Sequence, residues 1–143
     1  MSSVLARFRK ISEMEFYRTS YELRSKLTTA LMNENIVPKR YRPIFTFPTL
    51  DIARQLIDHI IVAFNVYPNK PEYVDTRKAM IKAAIDDLDM IDDQLLYLIE
   101  TLFKGRIDAD HALPSQIEEC GELIDRARPL LVAWRKSTKL IQQ

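Results

Sequence analysis

Between residues 118 and 125 the chain places four carboxylates, Glu118, Glu119, Glu122 and Asp125. On a helix, residues three and four apart share a face, so this spacing offers carboxylates from adjacent turns. Oxygen sets of that kind hold Mg²⁺ against a substrate's phosphates. A second acidic run, Asp86, Asp87, Asp89, Asp92 and Asp93, lies upstream. The alternative for both runs is a solvated acidic face. His59 and His111 are the two histidines. Asp108 and His111 stand three residues apart, but a bundle di-metal site needs two Glu-x-x-His pairs and further inward glutamates. His111 therefore reads as a surface or capping residue. Cys120 falls on an apolar stripe, where a thiol is inert packing. The two glycines are isolated, so no glycine-rich phosphate loop can form. No catalytic residue, metal or cofactor is expected from these groups.

The basic residues offer different chemistry. Lys39-Arg40-Tyr41-Arg42 lies in a proline-bounded loop. Arg128, Arg135 and Lys139 fall within an arc of about 40° if the last helix continues through them. Cationic patches beside a tyrosine can grip phosphates and stack on bases. They can equally pair with the acidic run on the third helix. Charge alone leaves both open.

Helices must position these groups. The chain has 143 residues and 47% hydrophobic content, enough for one domain with a continuous core. Two glycines argue against hairpins, and the prolines mark a few clear breaks. Ser12 and Glu15 have capping-box spacing. Phe16, Leu23, Leu27 and Leu31 follow at helical intervals, predicting a helix over about 12–33. Val4, Leu5, Phe8 and Ile11 are also amphipathic, which leaves the start of that helix open. Pro38, Pro43 and Pro48 exclude a regular helix over 34–48. Thr49 is the expected N-cap of a second helix over 49–67, with Leu50, Ala53, Leu56, Ile57, Ile60, Phe64 and Tyr67 on one face. A third, over 72–104, carries Val74, Ile81, Leu88, Leu95 and Leu102 at a seven-residue interval, with Ile91 and Leu98 between. Gly105 is its expected stop. A fourth, over 114–138, is expected to bury Ile117, Cys120, Ile124, Ala127, Leu131 and Trp134, and Pro129 should kink it. The resulting expectation is all-α: one antiparallel up-down four-helix bundle, with Leu56, Ile60, Leu88, Leu95, Ile124 and Trp134 in the core.

Net charge is +1, but its distribution is uneven. Residues 1–42 carry +5, residues 86–125 carry −10 and residues 126–143 carry +5. Opposite faces of this kind can pair within a chain or between copies. A single cysteine excludes an internal disulfide and suits a reducing compartment. No stretch approaches the roughly 20 apolar residues of a membrane span. The first residues lack the apolar core and cleavage site of a signal peptide. A cytoplasmic location is the expectation.

Two resemblances follow from these motifs. The segment from Ile117 to Asp125 resembles the EExxE element of MazG-like nucleoside triphosphate pyrophosphohydrolases, which would give Glu118, Glu119 and Glu122 a metal-holding role. That family pairs it with an ExxD element on the next helix, and no acidic residue follows Asp125 here. The second resemblance spans residues 12–139 and is to the Avd family, accessory proteins of diversity-generating retroelements with cousins encoded in rRNA intervening sequences. Pro38-Lys39-Arg40-Tyr41-Arg42 is similar to that family's loop, and His111-Ala112-Leu113-Pro114, Gln116-Ile117-Glu118 and Trp134 to its last helix. The resemblance implies a non-catalytic homopentamer that binds a reverse transcriptase and its template RNA or cDNA in mutagenic retrohoming. The expected contact surface is Lys39, Arg40 and Arg42 with Arg128, Arg135 and Lys139, the two sets expected as neighbours at the same end of the bundle.

Overall fold

A computed structural model describes residues 3–104 and 113–142. Among the described residues the chain is all helical, with no strand. Five helices follow in order: α1 (Ser3–Ser12), α2 (Glu15–Leu31), α3 (Thr46–Asn65), α4 (Pro71–Leu98) and α5 (Ser115–Ser137). A wider, π-type turn, Ile99–Phe103, continues α4.

The N-terminal boundary differs from the capping-box expectation. Ser12 donates back to the Arg9 carbonyl at 3.0 Å and ends α1. Met14, with extended backbone, precedes α2 and makes no side-chain cap. A short break therefore separates two helices where the periodicity ran on. The start of α3 also moves. Thr46 opens the helix, and its hydroxyl donates to the Leu31 carbonyl at the end of α2 at 2.6 Å. Pro48 sits inside the first turn, where a missing N–H costs nothing because that group has no intrahelical partner. Thr49 consequently lies within the helix and donates to the Phe45 carbonyl. Pro71 starts α4 for the same reason. α5 runs through Pro129. The expected stop at Gly105 lies outside the described residues.

The core closes between α2, α3, α4 and α5, each packed on the next and α5 on α2, while α1 rests mainly on α2. Leu56, Ile60, Leu88, Leu95 and Ile124 are buried as expected. The heptad seam of α4 is buried at Ile81, Leu88, Ile91, Leu95 and Leu98 and half-buried at Val74 and Leu102. Tyr67 is exposed, against expectation. Trp134 is only half-buried, because it covers the edge of the core: its ring stacks on Phe16 at 4.0 Å.

Contacts at the helix ends fix directions. Asn33, just after α2, bonds Gln116 at the start of α5 at 3.3 Å, while Phe16 at the start of α2 meets Trp134 near the end of α5. These two helices run antiparallel. Phe45, before α3, touches Tyr97 near the end of α4 at 5.2 Å, and Arg77 near the start of α4 reaches the last turn of α3. These also run antiparallel. At the other end the Ile141 N–H donates to the Pro68 carbonyl in the α3–α4 connection.

Candidate nucleic-acid or partner interface

The connection from α2 to α3 contains a single 3₁₀ turn, Lys39–Tyr41. Glu34 holds it: its carboxylate accepts the Lys39 backbone N–H at 3.1 and 3.3 Å. Arg42 holds it from the other side. Its Nη2 donates to the Met32 carbonyl at 3.0 Å and to Glu34 at 3.3 Å. The Met32 carbonyl belongs to the end of α2, where a cation is favoured by the helix dipole. The Arg42 side chain is only 16% exposed. It braces the turn from within, while Lys39 and Arg40 point outward and are exposed. The Arg40 guanidinium stacks 4.8 Å over the Tyr41 ring. Stacking of this kind occupies the face of the guanidinium and leaves its edge donors for a planar anion.

The second basic set has a different setting. Arg128 pairs with Asp89, joining α5 to α4 within one chain. Arg135 is exposed and donates through Nε to the Lys78 carbonyl at 3.2 Å. Lys139 is exposed but lies beyond the end of α5 at Ser137, so the helical arc does not reach it. Nor are the two basic sets neighbours. Asn33 and Gln116 place the turn at the start of α5, and Arg135 stands 19 residues further on. At 1.5 Å per residue the separation is about 28 Å. The reason is parity: in an alternating arrangement of four helices the first connection and the last helix end lie at opposite ends.

One acidic residue of α5 has a cationic partner among the described residues. Glu119 pairs with Lys26 at 3.5 Å, and Glu118 is exposed. Glu119 and Glu122 border a shallow depression of about 130 Å³ with Glu22, Lys26 and Arg126. Among the described residues no three acidic, histidine or cysteine side chains converge as metal ligands. Cys120 beside them is buried, and burial pushes its thiol up to about 11, with Glu119 adding and Lys26 opposing. Asp108 and His111 lie outside the described residues.

Two polar groups, one buried and one half-buried, were not anticipated as partners. Asp87 on α4 is 2% exposed and lies 2.5 Å from Nδ1 of half-exposed His59 on α3. Burial raises its carboxyl above the usual range, and the His59 hydrogen bond opposes that shift. Arg77 donates to the carbonyls of Ala63 and Phe64 at 2.9 and 3.1 Å and lies 5.7 Å from the centre of the Trp134 ring. Desolvation lowers its pKa. A signal existed for each. Arg77 stands 14 residues before Ile91, in register with the apolar seam, and Asp87 lies between the buried Ala84 and Ile91 at helical spacing.

The fold and these groups define an all-helical protein with a braced basic turn at one end and an acidic helix face. No family model, curated protein or solved structure matches the chain. Among the described residues no helix is long and apolar enough to cross a membrane.

Proposed function

We propose that the chain is a non-catalytic adaptor of the Avd-like kind, an antiparallel up-down four-helix bundle in which α1 is an appended fifth helix. Copies assemble, with five as the number implied by the resemblance, and together hold a reverse transcriptase and its template RNA or cDNA. The observation that carries this reading is the outward pair Lys39 and Arg40 on a turn braced by Glu34 and Arg42. Cations on a turn held in this way suit phosphate contacts, because little loop entropy remains to be lost on binding. Lys139, with the exposed edges of Arg128 and Arg135, supplies a second contact at the far end rather than an extension of the first.

The test is RNA binding followed by fluorescence anisotropy over a salt series. Lys39→Glu with Arg40→Glu is expected to weaken binding across all sequences. It should also flatten the log–log salt dependence by about 0.7–0.9 for each phosphate that the variant no longer neutralises. Unchanged affinity and slope in a folded variant would end the nucleic-acid part of the reading. An adjacent reverse-transcriptase gene with a template repeat would support the adaptor part.

The pyrophosphohydrolase reading has a separate test. It requires release of pyrophosphate from a nucleoside triphosphate with Mg²⁺, abolished by Glu119→Gln or Glu122→Gln. What favours the adaptor is that, among the described residues, no three acidic, histidine or cysteine side chains converge as metal ligands.

A further inference from the structure

Two surface patches of opposite charge and similar apolar character stand on different faces of the molecule. The first is built on α1. This helix carries Arg7, Arg9 and Lys10 and no acidic residue. Ile11 anchors it in the core, yet Leu5 and Phe8 remain 51% and 55% exposed. Phe8 also borders an apolar groove of about 270 Å³ shared with Ile61 and Phe64 near the end of α3. Adjacent large apolar groups left in water at one end mark an interaction surface.

The second patch is the outward face of α4. At 100° per residue, Asp86, Asp89, Met90, Asp93, Leu96 and Tyr97 lie within an arc of about 120°. All six are exposed, Leu96 and Tyr97 by 54% and 52%. Asp86 and Asp89 are engaged by Lys82 and Arg128. Asp92, Asp93 and Glu100 pair with no cation among the described residues. The stripe thus offers apolar side chains beside uncompensated negative charge. The stripe runs from the level of His59, which Asp87 contacts, to that of Phe45, which Tyr97 touches, so its Leu96 and Tyr97 end lies 16 residues of α3, about 24 Å, from the level of Ile61.

The geometry points to docking between copies: the basic, apolar α1 of one molecule lies against the acidic, apolar face of α4 of the next. The inference rests on the reading that the chain self-associates, and it names the surfaces. Within one molecule α1 rests mainly on α2, across the bundle from α4, so the two patches do not meet. Across copies they match in sign and in apolar content, as an amphipathic helix matches a receiving groove. Two different patches make a heterologous contact, which closes as a ring or runs on as a filament.

The experiment uses the full chain with light scattering and circular dichroism. Arg9→Glu and Lys10→Glu reverse the first patch. Asp92→Lys, Asp93→Lys and Glu100→Lys reverse the second. Each reversal alone is expected to weaken assembly at least tenfold with helical content retained. Mixing the two reversed proteins restores association, because each then meets a complementary surface on the other, in alternating assemblies with an even number of copies rather than a ring of five. Combining both reversals on one chain restores it as well. Assembly unaffected by either reversal overturns the docking and leaves self-association standing. Loss without restoration in the mixture overturns it too. A wild-type protein that stays monomeric at micromolar concentration overturns both, and binding of that monomer to anionic vesicles through α1 would reassign the patch to a lipid surface.

Discussion

Asp87 is the residue whose chemistry departs most from its sequence appearance. In the sequence it is one of five aspartates on a helix that reads as solvated, yet the fold buries it against His59. Burial raises its carboxyl above the ordinary 3.8, the His59 hydrogen bond opposes this, and Asp86 adds to it. A raised folded-state value means that the fold binds the proton more tightly than the unfolded chain does. The contribution of Asp87 is therefore fully present below 3.8 and is lost as pH rises through the raised value. Asp87→Asn keeps the shape and removes the titration. Urea midpoints between about pH 3 and pH 7 should show wild-type stability falling relative to Asp87→Asn as pH rises through that window. Parallel profiles would mean that the carboxyl titrates equally in both states. Arg42 gives the complementary lesson. Its place in a basic loop motif suggested a ligand contact, but the motif cannot show that a nearby helix end needs a cation. That need became visible only when the Met32 carbonyl and Glu34 were brought to it.

The helices themselves were largely legible, because hydrophobic spacing reports which face is buried. The seam of α4 and the apolar stripe of α5 follow from it directly. Boundaries were less legible. Periodicity passes through Ile11 and Met14 without interruption, so the break between α1 and α2 leaves no mark in the pattern. Proline was read as a breaker at Pro48, although the first turn of a helix tolerates it. Arg77 belongs to this scale, since it ties one helix to another. Its two hydrogen bonds reach carbonyls in the last turn of α3, that of Phe64 and that of Ala63, which also accepts the Val66 N–H. Arg77→Met retains the apolar stem beside Trp134 and deletes both bonds. Hydrogen bonds to charged groups contribute about 1.5–3 kcal/mol, so a loss of that order is expected in chemical denaturation. Burial of the guanidinium offsets part of it. Hydrogen exchange should quicken mainly in the last turn of α3, whereas a uniform increase along the chain would point to general loosening.

At the level of the molecule, charge organises the outside and apolar burial organises the inside, and salt separates the two. Only two exposed ion pairs, Lys26–Glu119 and Arg128–Asp89, tie one of the long helices to another among the described residues. Exposed pairs contribute about 0–1 kcal/mol each, and the buried leucines and isoleucines dominate the fold. Screening should therefore leave the folded subunit almost unchanged. The proposed docking differs, because its basic α1 and acidic α4 face each other at the rim of a contact with few apolar groups. The Debye length falls from about 10 Å at 0.1 M salt to about 3 Å at 1 M, which removes most of the attraction between such rims. Salt also strengthens apolar contact, but Leu5 and Phe8 against Leu96 and Tyr97 make a small area, so the electrostatic loss wins. The association constant is expected to fall on the order of tenfold between about 0.05 M and 0.5 M sodium chloride, while the denaturation midpoint of the helical signal stays constant. Light scattering and circular dichroism on the same samples check both halves. Assembly that tightens with salt would show that apolar contact, not charge complementarity, holds the copies together.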